Sequence, residues 1–160
     1  MFFKSKAKKE EKENEKKALL CRENILVNCK PDTQEHVIRK VGQLLVDAGY
    51  VNQPYVDGML EREKSLCTFM GNGLALPHGV EAVKNEIKSS GIAVMTFPEA
   101  TDWEGNEVHV VIGIAGVGEE HMKILSNIAE TMLDEELCAK LPSMDAEGVY
   151  QVLGGNMGKE

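Results

Sequence analysis

Long apolar runs are missing from this 160-residue chain. The longest, Val108 to Gly118, contains one histidine and three glycines, too short and too broken to span a bilayer, and no signal-peptide core follows the N-terminus. A soluble, cytoplasmic protein without stable membrane insertion is therefore expected. Paired cysteines are missing too. Cys21, Cys29, Cys67 and Cys138 are widely spaced with no CxxC, which speaks against a disulfide framework or a zinc knuckle and leaves buried or incidental thiols. The four histidines show no HxH or HExxH spacing, so no metal is expected. A nucleotide-cradling P-loop is absent, and no cofactor is implied. Positive charge is scarce: 18 basic against 26 acidic side chains give a net charge of −8, which argues against nucleic acid as a partner.

The charge is unevenly spread. Seven lysines and four glutamates give residues 1–17 a net +3, so the other 143 residues carry −11 of the total of −8. That tail has almost nothing apolar after Phe3 and reads as a solvated extension rather than part of a core. An acidic body suits a basic protein partner met in a transient encounter. The hydrophobic content of 42% is enough for a single compact domain, placed at residues 18–155, with 156–160 as a C-terminal tail.

Within that domain, Val37, Ile38, Val41, Leu44, Leu45 and Ala48 recur at helical spacing, with Asp32 or Thr33 as cap and Gly49 as stop. Pro54 suits the first position of a second helix that ends near Arg62. Residues 91–97 and 108–114 are β-rich and apolar on both faces, as strands covered on both sides are. Met122 to Met132 form a further helix, and two short ones lie around 135–141 and 145–153. The alternation predicts a three-layer α/β/α domain with a central mixed sheet flanked by helices.

The densest local signal is Gly71-Asn72-Gly73-Leu74-Ala75-Leu76-Pro77-His78-Gly79. Leu74 to Leu76 read as a buried strand end, Pro77 fixes its own φ and forces Leu76 to be extended, and Gly79 lets a bulky group approach the main chain. With Gly71 and Gly73 upstream, bare N–H groups can face an anion. An imidazole presented this way is neutral and nucleophilic near pH 7 and is also a good leaving group. A plain strand-to-loop turn with a satisfied histidine is the competing reading of the same spacing.

Glu63, Met70, Gly71, Leu74, Ala75, Leu76, Pro77, His78 and Gly79 fill every fixed position of a pattern seen in the enzyme IIA components of the bacterial sugar phosphotransferase system, mannitol/fructose class, which the chain resembles from about residue 19 onward. Gly42 to Val46, Met59 to Glu63, Gly113 to Gly116 and Glu120-His121 extend the likeness, and the set most resembles mannitol-type members. The resemblance implies that His78 is the phosphorylated residue, with HPr as donor and the cysteine of a IIB domain in the mannitol permease IICB as acceptor. It implies also that His121 lies beside His78 and orients it or its phosphoryl group. A helix start at His121 disfavours imidazolium and favours a bound anion. By the same likeness Arg62 reaches the active site, where its planar guanidinium can bind two phosphoryl oxygens. The supporting loop is Gly71, Asn72, Gly73, Pro77 and Gly79. Met70 and Leu74 are expected to form an apolar docking rim.

His109, flanked by valines, is read as a hydrogen-bonded structural residue, and His36 as exposed. Asn72 stands where mannitol-type members often carry glutamate. Two further readings therefore remain open, a fructose-branch carrier and a regulatory module of the nitrogen-related type that acts by phosphorylation-dependent protein binding.

Overall fold

A computed structural model describes residues 17–154. The basic tail read at 1–17 lies outside the described residues except for Lys17, as does the C-terminal tail at 156–160. Five strands form one mixed sheet: β1 (Ile25–Leu26), β2 (Phe69–Gly71), β3 (Leu74–Ala75), β4 (Gly91–Trp103) and β5 (Asn106–Ala115), in the order β1-β4-β5-β3-β2. β1 runs parallel to β4 and β3 parallel to β5, while the β4–β5 and β2–β3 pairs are antiparallel.

Alternation along the two long strands divides their side chains between two cores. Ile92, Val94, Val110, Ile112 and Ile114 face one, packed against Ile124 and Ile128 of helix α3 (Glu120–Thr131) and against Leu141, Val149 and Leu153 of the C-terminal turns. Ala93, Met95, Phe97 and Val111 face the other, where α1 (Gln34–Asp47) contributes Val37, Ile38, Val41 and Leu45 and α2 (Pro54–Ser65) contributes Tyr55 and Met59. Apolar residues on both strand faces thus produce the helix-sheet-helix layering expected from the sequence. Short helices α4 (Glu135–Lys140) and α5 (Ala146–Val149) follow, with a wide turn over Tyr150–Gly154 at the end of the described residues.

Local chemistry accounts for the boundaries. The Thr33 side chain accepts the His36 N–H at 3.2 Å and caps α1, and Gly49, at φ 82°, follows its end. Pro54 opens α2. Two features exceed the sequence expectation. The strand from Gly91 continues through Pro98 to Trp103, because a register shift between Thr96 and Thr101 takes the proline out of the ladder. Glu104 and Gly105, at φ 52° and 89°, then make the tight turn into β5. No helix among the described residues is long and apolar enough to cross a membrane.

Candidate functional site

The site lies where β3 runs out beside the end of β5. Leu74 and Ala75 pair with Val110 and Val111, and the same register carries on to set His78 beside Ile114. The Ile114 N–H donates to the Pro77 carbonyl at 2.9 Å and the Leu76 N–H to the Thr68 carbonyl at 3.1 Å, so the backbone before His78 is tied on two sides.

The His78 ring is half-buried, and its Nδ1 lies 2.8 Å from the Leu76 carbonyl oxygen. A carbonyl can only accept, so Nδ1 carries the proton and Nε2 keeps a free lone pair. Burial, and then the nearby Arg62 charge, push the His78 pKa below the ordinary 6.5, against the Leu76 hydrogen bond and the Glu63 charge, which raise it. The ring is therefore neutral at pH 7.

His121, the second residue of α3, stands with its ring centroid 5.2 Å from that of His78, the planes inclined by 57°. Burial lowers its pKa first, followed by His78, while Glu81 raises it. Gly116 makes this proximity possible: a Cβ there would sit 2.4 Å from the His121 Cα. Arg62, in the last turn of α2, donates from a guanidinium nitrogen to the Leu66 carbonyl at 2.7 Å, and its charge acts on His78. Three residues far apart in sequence thus converge through α2, the β3 extension and α3.

The loop glycines divide into two groups. Gly71, Asn72 and Gly73 have φ of 90°, 49° and 73° and form the turn of the β2–β3 hairpin, so their left-handed backbone is explained by the turn. The Asn72 amide donates to the Met132 carbonyl at 3.4 Å, towards the end of α3. Gly79 sits at the site itself: a Cβ would meet the Tyr55 ring at 2.6 Å, and its N–H donates to the Tyr55 hydroxyl at 2.9 Å. The expected apolar rim needs a correction. Met70 is exposed, but Leu74 is only 3% exposed because it fills the core under the sheet; Val117 and Met122, either side of His121 in sequence, are the exposed apolar residues nearest to it along the chain.

Sequence reading assigned no role to Glu63, although it opens the matched pattern. Its carboxylate, in a residue only 6% exposed, accepts from the Thr68 N–H and hydroxyl at 2.7 Å each, the Trp103 indole at 3.0 Å and the Gln34 amide at 3.3 Å. It therefore braces the segment from which the β2–β3 hairpin starts. Glu63, Cys67 and Glu104 come together beside a 210 Å³ cavity lined by Gln34 and Leu60, the one such acid-thiol group among the described residues. Four donors already occupy the Glu63 oxygens, and burial pushes the Cys67 thiol pKa up, away from the thiolate a metal needs. His109 donates from Nδ1 to the Phe97 carbonyl at 2.8 Å, while exposed His36 meets Asp32 at 3.0 Å; neither partner belongs to the group around His78.

The family model described as phosphoenolpyruvate-dependent sugar phosphotransferase system, EIIA 2, matches residues 18–154. The chain belongs to that family. As an EIIA 2 member it is a phosphoryl-carrying component of a phosphotransferase system. It is 46% identical over 137 residues, 85% of this chain and 94% of the relative, to the mannitol-specific phosphotransferase enzyme IIA component of Halalkalibacterium halodurans. Among solved structures it is similar to IIA mannitol from Escherichia coli, with a TM-score of 0.78 and 33% identity over 84% of this chain and 98% of that one. A complex of enzyme IIA mannitol with phosphorylated IIB mannitol from the same organism gives a TM-score of 0.78 at 31% identity, covering 85% of this chain and 97% of that one.

Proposed function

We propose that this chain is the IIA component of a mannitol branch, taking a phosphoryl group from phospho-HPr onto His78 and passing it to the cysteine of the IIB domain of a mannitol permease, in the cytoplasm. The observation that carries the reading is the His78 ring itself, neutral, with Nδ1 tied to Leu76 and Nε2 unencumbered. In the first step the donor's P–N bond breaks and its electron pair returns to the donor ring, while the Nε2 lone pair forms the new P–N bond. The ring then bears positive charge, which the Leu76 carbonyl stabilises through the Nδ1 proton. In the second step a thiolate attacks phosphorus, and the P–N pair returns to Nε2. Little covalent chemistry falls to the protein. Its contribution is positioning and charge: Arg62 meets the phosphoryl oxygens, and His121 hydrogen-bonds to them or holds the ring.

Mannitol as the sugar is supported by the relatives' printed names at 46% and 33% identity. The test is label transfer from phosphoenolpyruvate through enzyme I and HPr, followed by a chase with mannitol IIB. Label lost in His78→Ala, and label on the wild type that discharges to mannitol IIB, are expected. Label that survives His78→Ala would remove the site, and label that remains despite IIB would favour a regulatory role or another sugar branch.

A further inference from the structure

The ladder that positions His78 contains a side chain where a backbone bond belongs. In a parallel pair, the residue facing Ile114 is flanked by two bonds: Ile114 N–H to the preceding carbonyl, and the following N–H to the Ile114 carbonyl. The first is present, from Ile114 to Pro77 at 2.9 Å. In place of the second, the Tyr55 hydroxyl is inserted: the Gly79 N–H donates to it at 2.9 Å, and it donates to the Ile114 carbonyl at 2.7 Å. The Tyr55 ring, 2% exposed, lies so close to Gly79 that no Cβ fits there. Tyr55 is also seven residues, two helical turns, before Arg62 on α2.

From this insertion we infer that Tyr55 is a positioning residue for phosphoryl transfer, one hydroxyl fixing the peptide after His78 to β5 and to the helix that carries Arg62. The inference rests on the reading of His78 as the phosphoryl acceptor. With Pro77 pinned on one side and Gly79 on the other, the Cα–Cβ direction of His78 is set, and with it the short reach of Nδ1 to the Leu76 carbonyl. Loss of the hydroxyl leaves the Gly79 N–H free to close onto Ile114 directly or to stay unpaired. Either way, the peptide shifts under the reacting ring. The burial that confines the hydroxyl also pushes its pKa up to about 12, so it remains a neutral donor and acceptor throughout the working range.

Tyr55→Phe in the full chain tests this through two readings, the rate of label transfer from phospho-HPr at varied donor concentration and the ¹⁵N shifts of the His78 ring. A displaced ring loses about tenfold to a hundredfold in maximal rate with half-saturation unchanged. The Nδ1 and Nε2 shifts move towards each other as the tautomers mix. Val83→Ala, which thins the same packing against Gly58 and Gly79 without touching the hydroxyl, serves as the control and keeps the wild-type shifts and a rate within about twofold. Wild-type shifts and rate in Tyr55→Phe overturn the inference, as does an equal loss in Val83→Ala. Should Tyr55→Phe not fold, a 2,3-difluorotyrosine at position 55 keeps the ring and weakens the hydroxyl as acceptor; unmoved His78 shifts in that protein overturn it equally. If the wild type takes no label from phospho-HPr, the functional reading fails, while the ring shifts still decide the role of Tyr55.

Discussion

His78 is held in one tautomer by a carbonyl two residues earlier in its own chain, a bond that depends on the extended conformation Pro77 imposes on Leu76. Because burial and the Arg62 charge both lower its pKa, the ring protonates only below the ordinary 6.5. The rate of phosphoryl uptake is therefore expected to stay level on acidification through neutrality and to fall only below the ordinary histidine range. Arg62→Gln removes one of the two lowering causes, so its acid limb moves to higher pH while its rate drops by about 10²–10³ at neutral pH, the usual cost of one transition-state donor. An unshifted acid limb in a pH–rate comparison would show that Arg62 does not act on the ring. His121→Ala is expected to slow transfer without abolishing it, whereas His78→Ala leaves no label at all.

At the scale of elements, Gly79 against Tyr55 of α2 and Gly116 against His121 of α3 govern how the two helices approach the β3 extension. Gly116→Ala places a methyl 2.4 Å from the His121 Cα, so the start of α3 must move away from β5. Transfer should fall as far as in His121→Ala, and the contacts between the His78 and His121 rings should disappear from NMR spectra; retained contacts would contradict this. Glu63→Ala strands the Thr68 N–H and the Trp103 indole in a buried site and should cost about 3 kcal/mol in urea unfolding, from about 1–3 kcal/mol for each unpaired group. Glu63→Gln keeps an acceptor oxygen and should cost markedly less. This gives a physical reason for Glu63 at that place in the pattern. The helices were readable in the sequence because their apolar spacing and their caps, Thr33 and Pro54 among them, are local. β3 was readable as the buried strand end at Leu74 to Leu76, but β2 and the continuation of β4 past Pro98 were not, since a strand of three residues has no period, and a proline is excused only by a bulge that the partner strand creates.

Over the whole molecule, the same distinction separates the residues of the site from their arrangement. His78, Arg62 and His121 were visible as residue types, but their convergence depends on Gly116 and Tyr55, whose neighbours lie 5 and 24 residues away. Leu74 read both as a buried strand end and as docking rim, and only the first holds, because the sheet decides which face a strand residue presents. Distance from the site should likewise mean indifference to it. Arg22 grips Glu147 at 2.6 Å and 3.0 Å and stacks on Tyr150 at 4.1 Å, joining the start of the domain to its end. Arg22 and Glu147 are exposed, so Arg22→Ala should leave transfer within about twofold of wild type while loosening the two ends, as hydrogen exchange would register.

The proposed relay turns on Nε2 of His78 receiving the phosphoryl group while Nδ1 keeps its proton on the Leu76 carbonyl. The most direct test is ¹⁵N and ³¹P NMR of the histidine-labelled protein after phosphorylation through HPr. Phosphorus coupled to Nε2 of His78, with Nδ1 still protonated, is the predicted result. Phosphorus on Nδ1, or on a residue other than His78, would contradict the account.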